Sequence, residues 1–116
     1  MKRLNNITKK PWGEFCDLAE SKGKWHLKVI AIKKGRRLSL QRHIKRSEFW
    51  IVAEGKVQVK KGNKTYILNS QKSIFIKKKE SHRIKALTNS VVVEISFGFH
   101  DEKDIERLAD DYGRII

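Results

Sequence analysis

The chain has 116 residues, with 27 Lys and Arg against 13 Asp and Glu, for a formal net charge of +14. Hydrophobic residues make up 39% and charged residues 34%, which excludes a disordered chain and a second domain and leaves one charge-rich globular unit. The single cysteine, Cys16, excludes an intrachain disulfide and points to a reducing cytoplasm.

The opening MKRLNNITKKPWGEF is basic but lacks an apolar h-region, so no signal peptide is expected, and residues 1–14 are taken as an N-terminal arm of a single domain, 1–116. Strand signals follow. Trp25–Ile32 places Trp25, Leu27, Val29 and Ala31 on one face and His26, Lys28, Ile30 and Ile32 on the other. Leu38–Gln41 is a short candidate, and Glu48–Val52 is rich in aromatic and β-branched residues. Lys56–Lys60 and Lys64–Leu68 flank Lys61-Gly62-Asn63, a hairpin signal. Ser73–Ile76, His82–Ala86 and Val91–Phe97 complete the set, and apolar runs such as Val91–Val93 are far too short to span a membrane. Many short strands with frequent turns predict an all-β sandwich or barrel. Only the end reads helical, with Asp101 as cap and Ile105 and Leu108 on one side.

The chemically informative stretch is Gly35–Gly55. In a regular strand Gln41, His43 and Lys45 share a face, and a turn near Arg46-Ser47 is needed before Glu48 can join them. His82 begins a later strand and faces the same cavity if the sheet closes. Two imidazole nitrogens, a carboxylate and an amide oxygen form a plausible shell for Zn²⁺, Mn²⁺, Fe²⁺, Co²⁺ or Ni²⁺. Taken alone, the spacing is weak, since a strand histidine is more often a hydrogen-bonded structural residue than a ligand.

Gly35, His43, Glu48 and Gly55 resemble the first cupin motif with a longer first gap, and Ser70–Asn89 resembles a degenerate second motif. More specifically, the chain resembles the C-terminal cupin domain of type II phosphomannose isomerases, which is fused to mannose-1-phosphate guanylyltransferase in bifunctional enzymes. Pro11-Trp12-Gly13 matches that family's opening RPWG, with Lys10 in place of the arginine. Lys28 matches the lysine of its VKRI strand. Leu38-Ser39-Leu40-Gln41, His43, Arg46, Glu48, Trp50, Ile51 and Val52 match LSLQMHHHRAEHWIV, His82-Arg83 matches HR, and Ile105, Arg107, Asp110 and Tyr112-Gly113-Arg114 match DIxRxxDxYGR. The chain departs from the pattern at Lys45, which replaces the second histidine of HXH, at Phe49, and at Lys77 and Lys79, which replace a proline and a glycine of the second motif.

The resemblance implies a double-stranded β-helix of the cupin type, a metal set of Gln41, His43, Glu48 and His82 with Zn²⁺ the foremost candidate, and interconversion of mannose 6-phosphate and fructose 6-phosphate. It further implies catalytic roles for Lys28 and Arg114, and Lys45 is either a contact to the substrate phosphate or evidence of a lost metal site. A homodimer through sheet edges is a family-level expectation. No Gly-rich nucleotide loop occurs, so guanylyltransferase activity is not expected. Two other functions compete with isomerisation. One is a non-catalytic sugar- or sugar-phosphate-binding cupin. The other is charge-driven nucleic-acid binding, which no recognition motif supports. Arg36, Arg37 and Arg42 read mostly as surface charge, Trp12, Trp25 and Trp50 as core or dimer-interface aromatics, and His26 and His100 as structural.

Overall fold

In the computed structural model, which describes residues 1–114, every regular element is a strand. Six strands form one antiparallel sheet in the order β1 (Lys2–Lys10), β2 (Gly13–Ser21), β3 (Trp25–Ile32), β10 (Ser90–Gly98), β5 (Arg46–Glu54) and β8 (Ser73–Ile76). Five form the second, in the order β11 (Glu106–Ala109), β4 (Leu40–Arg42), β9 (His82–Ala86), β6 (Lys56–Lys61) and β7 (Lys64–Asn69). The residues at 115 and 116, which close the predicted domain, lie outside the described residues.

All eight predicted strands are present, with ends moved by a residue or two. Lys61 pairs with Lys64 across the Gly62-Asn63 turn, and Gly62 supplies the φ of +58° this tight hairpin needs. Besides β11, two strands have no counterpart in the sequence pattern. β1 is polar and largely exposed, and β2, which pairs with it, carries a bulge between Asp17 and Ala19 that breaks its alternation. Gly13 opens β2 so close to β3 that a Cβ would sit 2.0 Å from the Ala31 carbonyl oxygen.

The predicted C-terminal helix is corrected. Asp101 does act as a cap: its Oδ1 accepts from the Lys103 N–H at 2.9 Å and its carbonyl from the Asp104 N–H at 2.9 Å. The chain completes only that one turn before extending as β11, where Arg107 lies opposite Gln41 and Glu106 opposite Arg42 on β4. Pairing with an open sheet edge outweighs the weak helical spacing of Ile105 and Leu108, and Leu108 stays exposed.

The two sheets bury their facing sides. Trp12, Phe15, Ile30, Ile32, Trp50, Val52 and Val92 meet Val57, Val59, Ile84 and Ala86 in a single core. The inner face changes character along the strands. β3 buries His26 and Lys28 before Ile30 and Ile32, β10 buries Val92 before Glu94 and Ser96, and β5 buries Glu48 before Trp50 and Val52. One end of the barrel is therefore apolar and the other polar, and the polar end carries the candidate site.

On the opposite side of the larger sheet, β3 presents Trp25, Leu27, Val29 and Ala31, as its alternation predicted. In register beside them stand Val93, Ile95 and Phe97 of β10, then Phe49 and Ile51 of β5, with Phe75 of β8 opposite Phe49. Half-buried Cys16, a free thiol, pairs with Val29.

A candidate metal centre beside a cationic pocket

β4 ends at Arg42, so alternation stops there, and residues 43–45 form the turn into β5. Asp104, from the segment after β10, fixes this turn. Its carboxylate accepts the N–H of Ile44 at 3.0 Å and of Lys45 at 2.9 Å, while its carbonyl takes the Nδ1–H of His43 at 2.6 Å. The turn drives His43 and Arg46 inward and leaves Lys45 exposed. The face predicted to join Gln41, His43 and Lys45 therefore does not extend to Lys45, whose Nζ lies 5.3 Å from the ring centre of Phe99, away from the pocket.

His43, Glu48 and His82 are all buried, and their candidate donor atoms lie within 4.8 Å of one another. Glu48 Oε2 is 3.5 Å from His43 Nε2, and Glu48 Oε1 is 3.6 Å from His82 Nε2. His82 Nδ1 donates to the Glu80 carbonyl at 2.9 Å. A carbonyl can only accept, so both histidines carry their proton on Nδ1 and aim the Nε2 lone pair inward, as metal-ligating histidines do. His82 Nε2 is buried with no hydrogen-bond partner among the described residues, which is costly unless something fills the gap between the donors. Gln41 pairs with His82 in register, and its amide lies 3.4 Å from His43 Nε2. The Ser39 hydroxyl, 2.7 Å from the amide, can donate or accept, so either end of Gln41 can face the centre. Two neutral imidazoles, a carboxylate and an amide oxygen fit a borderline divalent ion.

Arg46 is the resident cation. Its Nε donates to Glu48 Oε2 at 2.9 Å and its Nη2 to His43 Nε2 at 3.3 Å, while Trp50 Nε1 donates to Glu48 Oε1 at 3.2 Å. Burial alone would raise the Glu48 pKa, but the charges of His43, Arg46 and His82 outweigh it and hold the group at about 2. Burial takes His43 the other way, down to about 4 against the pull of Glu48. At neutral pH the set is thus an ionised carboxylate and a neutral imidazole at His43, as metal ligation requires.

Beside this set opens a cavity of about 110 Å³, lined among others by Gln41, His43, Arg46, Lys28, Glu94 and Arg114. Lys28 is buried with His26 and Ile30 on the face the alternation predicted. Its Nζ is 3.1 Å from Glu102 and 3.7 Å from Glu94, and lies 4.3 Å from the ring centre of Phe15. Glu94 is buried with one long hydrogen bond, 3.5 Å from Ser96. Its burial, and next the nearby Glu48, push its pKa up to about 7 against Lys28 and Arg46. At the mouth, Lys10, Arg107 and Arg114 come together. Arg114 is held by a two-pronged ion pair to Asp110 at 2.9 and 2.8 Å, whereas the buried Arg107 Nε has no partner among the described residues. Burial, then the charges of Arg114 and Arg107, lower the Lys10 pKa.

Sequence reasoning left Arg46 and Arg107 as matching positions without a role and did not single out Glu94. A glutamate among Val91–Val93 and Ile95, on a strand buried on one face, was the available signal. The remaining predicted surface residues pair at the surface: Arg37 with Asp111 and Arg42 with Glu106. His26 and His100 stack with ring centres 3.7 Å apart, and His26 lies between Asp17 and Glu20. Trp12 and Trp50 are in the core.

Residues 2–110 match the family described as mannose-6-phosphate isomerase C-terminal. The chain belongs to that family. It is 40% identical over 109 residues to the alginate biosynthesis protein AlgA of Pseudomonas aeruginosa, covering 90% of this chain and 22% of that protein. It is 34% identical to the xanthan biosynthesis protein XanB of Xanthomonas campestris, covering 90% of the chain and 23% of that protein. With the mannose-1-phosphate guanylyltransferase of Escherichia coli it shares 28% identity, over 97% of the chain and 24% of that protein. The chain thus spans under a quarter of the length of these relatives. In fold it is similar to KdgF from Halomonas, with TM-score 0.78 and 14% identity over 84% of this chain and 92% of that one. It is likewise similar to an RmlC-like cupin from Shewanella frigidimarina, with TM-score 0.75 and 18% identity over 85% and 87%. Both likenesses establish the cupin fold of this member of the mannose-6-phosphate isomerase C-terminal family. Among the described residues no helix is long and apolar enough to cross a membrane.

Proposed function

We propose that this chain is a metal-dependent aldose–ketose isomerase interconverting mannose 6-phosphate and fructose 6-phosphate. The observation that carries this reading is a cavity that reaches the donor set through Gln41 and His43, with Glu48 and His82 packed behind them, and that is also lined by Lys10, Arg107, Arg114 and the under-satisfied buried carboxylate of Glu94. Those are the parts an isomerase of a phosphorylated sugar needs. Gln41, His43, Glu48 and His82 would hold the ion, Zn²⁺ foremost, and a bound ion would supply Lewis acidity toward the sugar oxygens. Lys10, Arg107 and Arg114 take the phosphate, and the Arg107 Nε, which has no partner among the described residues, is a ready donor. Glu94 is the base. It removes the C2 proton of the open-chain aldose as the C1 carbonyl oxygen gains one, giving a cis-enediol. It returns a proton to C1 as the O2 proton leaves, giving the ketose. A carboxylate titrating near 7 is matched to moving a proton in both directions. Lys28, between Glu94 and Glu102, stabilises the negative charge that develops on the sugar oxygens. The free thiol of Cys16 fits a cytoplasmic setting.

A second reading rests on Arg46, which donates to the same Glu48 and His43 atoms that an ion would occupy. In that reading the guanidinium stands in for the metal, and the chain is a sugar-phosphate-binding cupin without turnover. A coupled isomerase assay on metal-stripped protein, before and after adding Zn²⁺, Mn²⁺, Co²⁺ or Ni²⁺, decides between them. Turnover that depends on metal and vanishes in His43→Ala supports the isomerase. Folded protein that binds mannose 6-phosphate without turnover under any of these ions supports the second reading.

A further inference from the structure

The outward face of the smaller sheet gathers cations that the fold does not require. Lys60 on β6 stands directly opposite Arg83 on β9, and Arg37, shortly before β4, bridges to Lys85 two residues further along β9. Like charges directly opposite one another destabilise a sheet. Here two such pairs lie side by side, because Arg83 and Lys85 share the outward face of β9. With Gln58 and Thr65 these four cations line a pocket of about 240 Å³, and among the described residues no carboxylate lines it. The arginines are held by groups beyond its lining. Arg83 donates from Nε to the Leu38 carbonyl at 2.9 Å and from Nη2 to the Ala109 carbonyl at 3.4 Å, while the Asp111 carboxylate accepts from Arg37 Nε and Nη2 at 2.6 and 2.8 Å. Lys60 and Lys85 form no ion pair among the described residues, although Lys85 is half-buried.

We propose that this pocket binds a compact polyvalent phosphate, a diphosphate group either free or carried by a larger molecule. Directly opposite residues lie about 5 Å apart and alternate residues of one strand about 7 Å. Four long cationic side chains at that spacing can converge on two adjacent phosphoryl groups, whereas a ligand with a single charge would leave much of their repulsion in place. The two arginines are already positioned and offer planar forks to phosphate oxygens, and the two lysines add mobile point charges. Gln58 and Thr65 supply neutral hydrogen bonds at the rim. A nucleic acid fits less well, because no aromatic side chain lines the pocket and bases would have nothing to stack on. Lys10, Arg107 and Arg114 line a different cavity, so this site is separate from the barrel mouth and does not depend on the isomerase reading.

Isothermal titration calorimetry with pyrophosphate tests this on the full chain, stripped of metal so that the probe is not drawn to a bound ion. Pyrophosphate should bind, and the double variant Lys60→Ala with Lys85→Ala should weaken it at least about 10-fold, the worth of one charge-assisted hydrogen bond. Lys22→Ala with Lys24→Ala removes the same charge from the exposed turn between β2 and β3 and should leave the affinity unchanged. Arg107→Ala, at the barrel mouth, should still show a pyrophosphate site of wild-type affinity. ADP titrated in parallel separates the two sources. Tighter binding than pyrophosphate, lost in the Lys60 and Lys85 variant, assigns the diphosphate to a larger molecule, and equal or weaker binding assigns it to the free ion. Absence of pyrophosphate binding overturns the proposal, as does equal weakening by both lysine pairs or loss of all binding in Arg107→Ala. A single-stranded oligonucleotide that binds through Lys60 and Lys85 more tightly than pyrophosphate also overturns it.

Discussion

Asp104 holds His43 with its backbone and the turn around His43 with its side chain: the carbonyl takes the Nδ1 proton at 2.6 Å, and the carboxylate takes two N–H groups of the turn. Orientation of this ligand thus depends on a residue 61 positions away in sequence. Replacing Asp104 with Ala leaves the carbonyl but frees the turn, and Zn²⁺ affinity should fall about 10- to 100-fold, as when other outer supports of metal ligands are removed. Competition with a chromophoric chelator measures this directly. An unchanged affinity would mean that the turn holds without its cap.

Glu48 and Arg46 are an ion pair buried on both sides, with side chains 1% and 5% exposed. Glu48→Gln keeps the shape and strands the guanidinium. Breaking such a pair typically costs about 3 kcal/mol or more. Urea denaturation of the metal-free protein should show a loss on this scale, alongside loss of metal binding.

The raised pKa of Glu94 has a consequence for stability. A carboxyl that titrates at about 7 when folded and near its ordinary value when unfolded contributes stability that is present below the unfolded pKa. That contribution is lost as pH rises through about 7. His43, lowered to about 4, acts in the opposite sense, and its contribution is full above its ordinary pKa and lost as pH falls. The two overlap, so the wild-type curve alone does not separate them. In metal-free protein, Glu94→Gln should gain stability relative to wild type as pH rises from 5 to about 8. Equal slopes for the two proteins over that interval would contradict a raised Glu94.

Lys79 adopts a left-handed backbone with φ of 65°, and its N–H donates to the His43 carbonyl at 2.7 Å. A left-handed conformation costs a non-glycine residue about 1–2 kcal/mol, partly offset by the extra freedom glycine has when unfolded. Lys79→Gly should therefore raise stability by about 0.5–1 kcal/mol. Thermal unfolding at fixed pH and metal content checks it.

If Arg107 holds the substrate phosphate, Arg107→Ala should raise KM for mannose 6-phosphate about 10- to 100-fold, the worth of a charge-assisted hydrogen bond, with a smaller change in kcat. Inorganic phosphate should inhibit the wild type competitively and the variant much less. Equal inhibition of both would place the phosphate elsewhere.

Much of the fold was legible because its core strands alternate cleanly, as in Trp25–Ile32, where every second residue is buried. β1 and β2 were not, because a polar edge strand and a bulged partner leave no period to detect. β11 was misjudged because four residues cannot establish a period, and pairing with β4 decided the outcome. The candidate metal donors were visible as a spacing, and the structure brings Gln41, His43, Glu48 and His82 together. Lys45 was placed by extrapolating a strand that ends at Arg42. Glu94 and Arg107 acquire a role only through what lies across the cavity from them, which is information held in register and not in local sequence.

The segment after β10 contributes Asp104, which steadies a metal donor, and three residues later Arg107, which faces the mouth of the pocket. A short span of chain thus carries both the support of His43 and a cation at the mouth. If His43 holds a metal ion and Arg107 an anion, as proposed, any coupling between them through this span is reciprocal, and whatever affinity the first lends to the second is returned in equal measure.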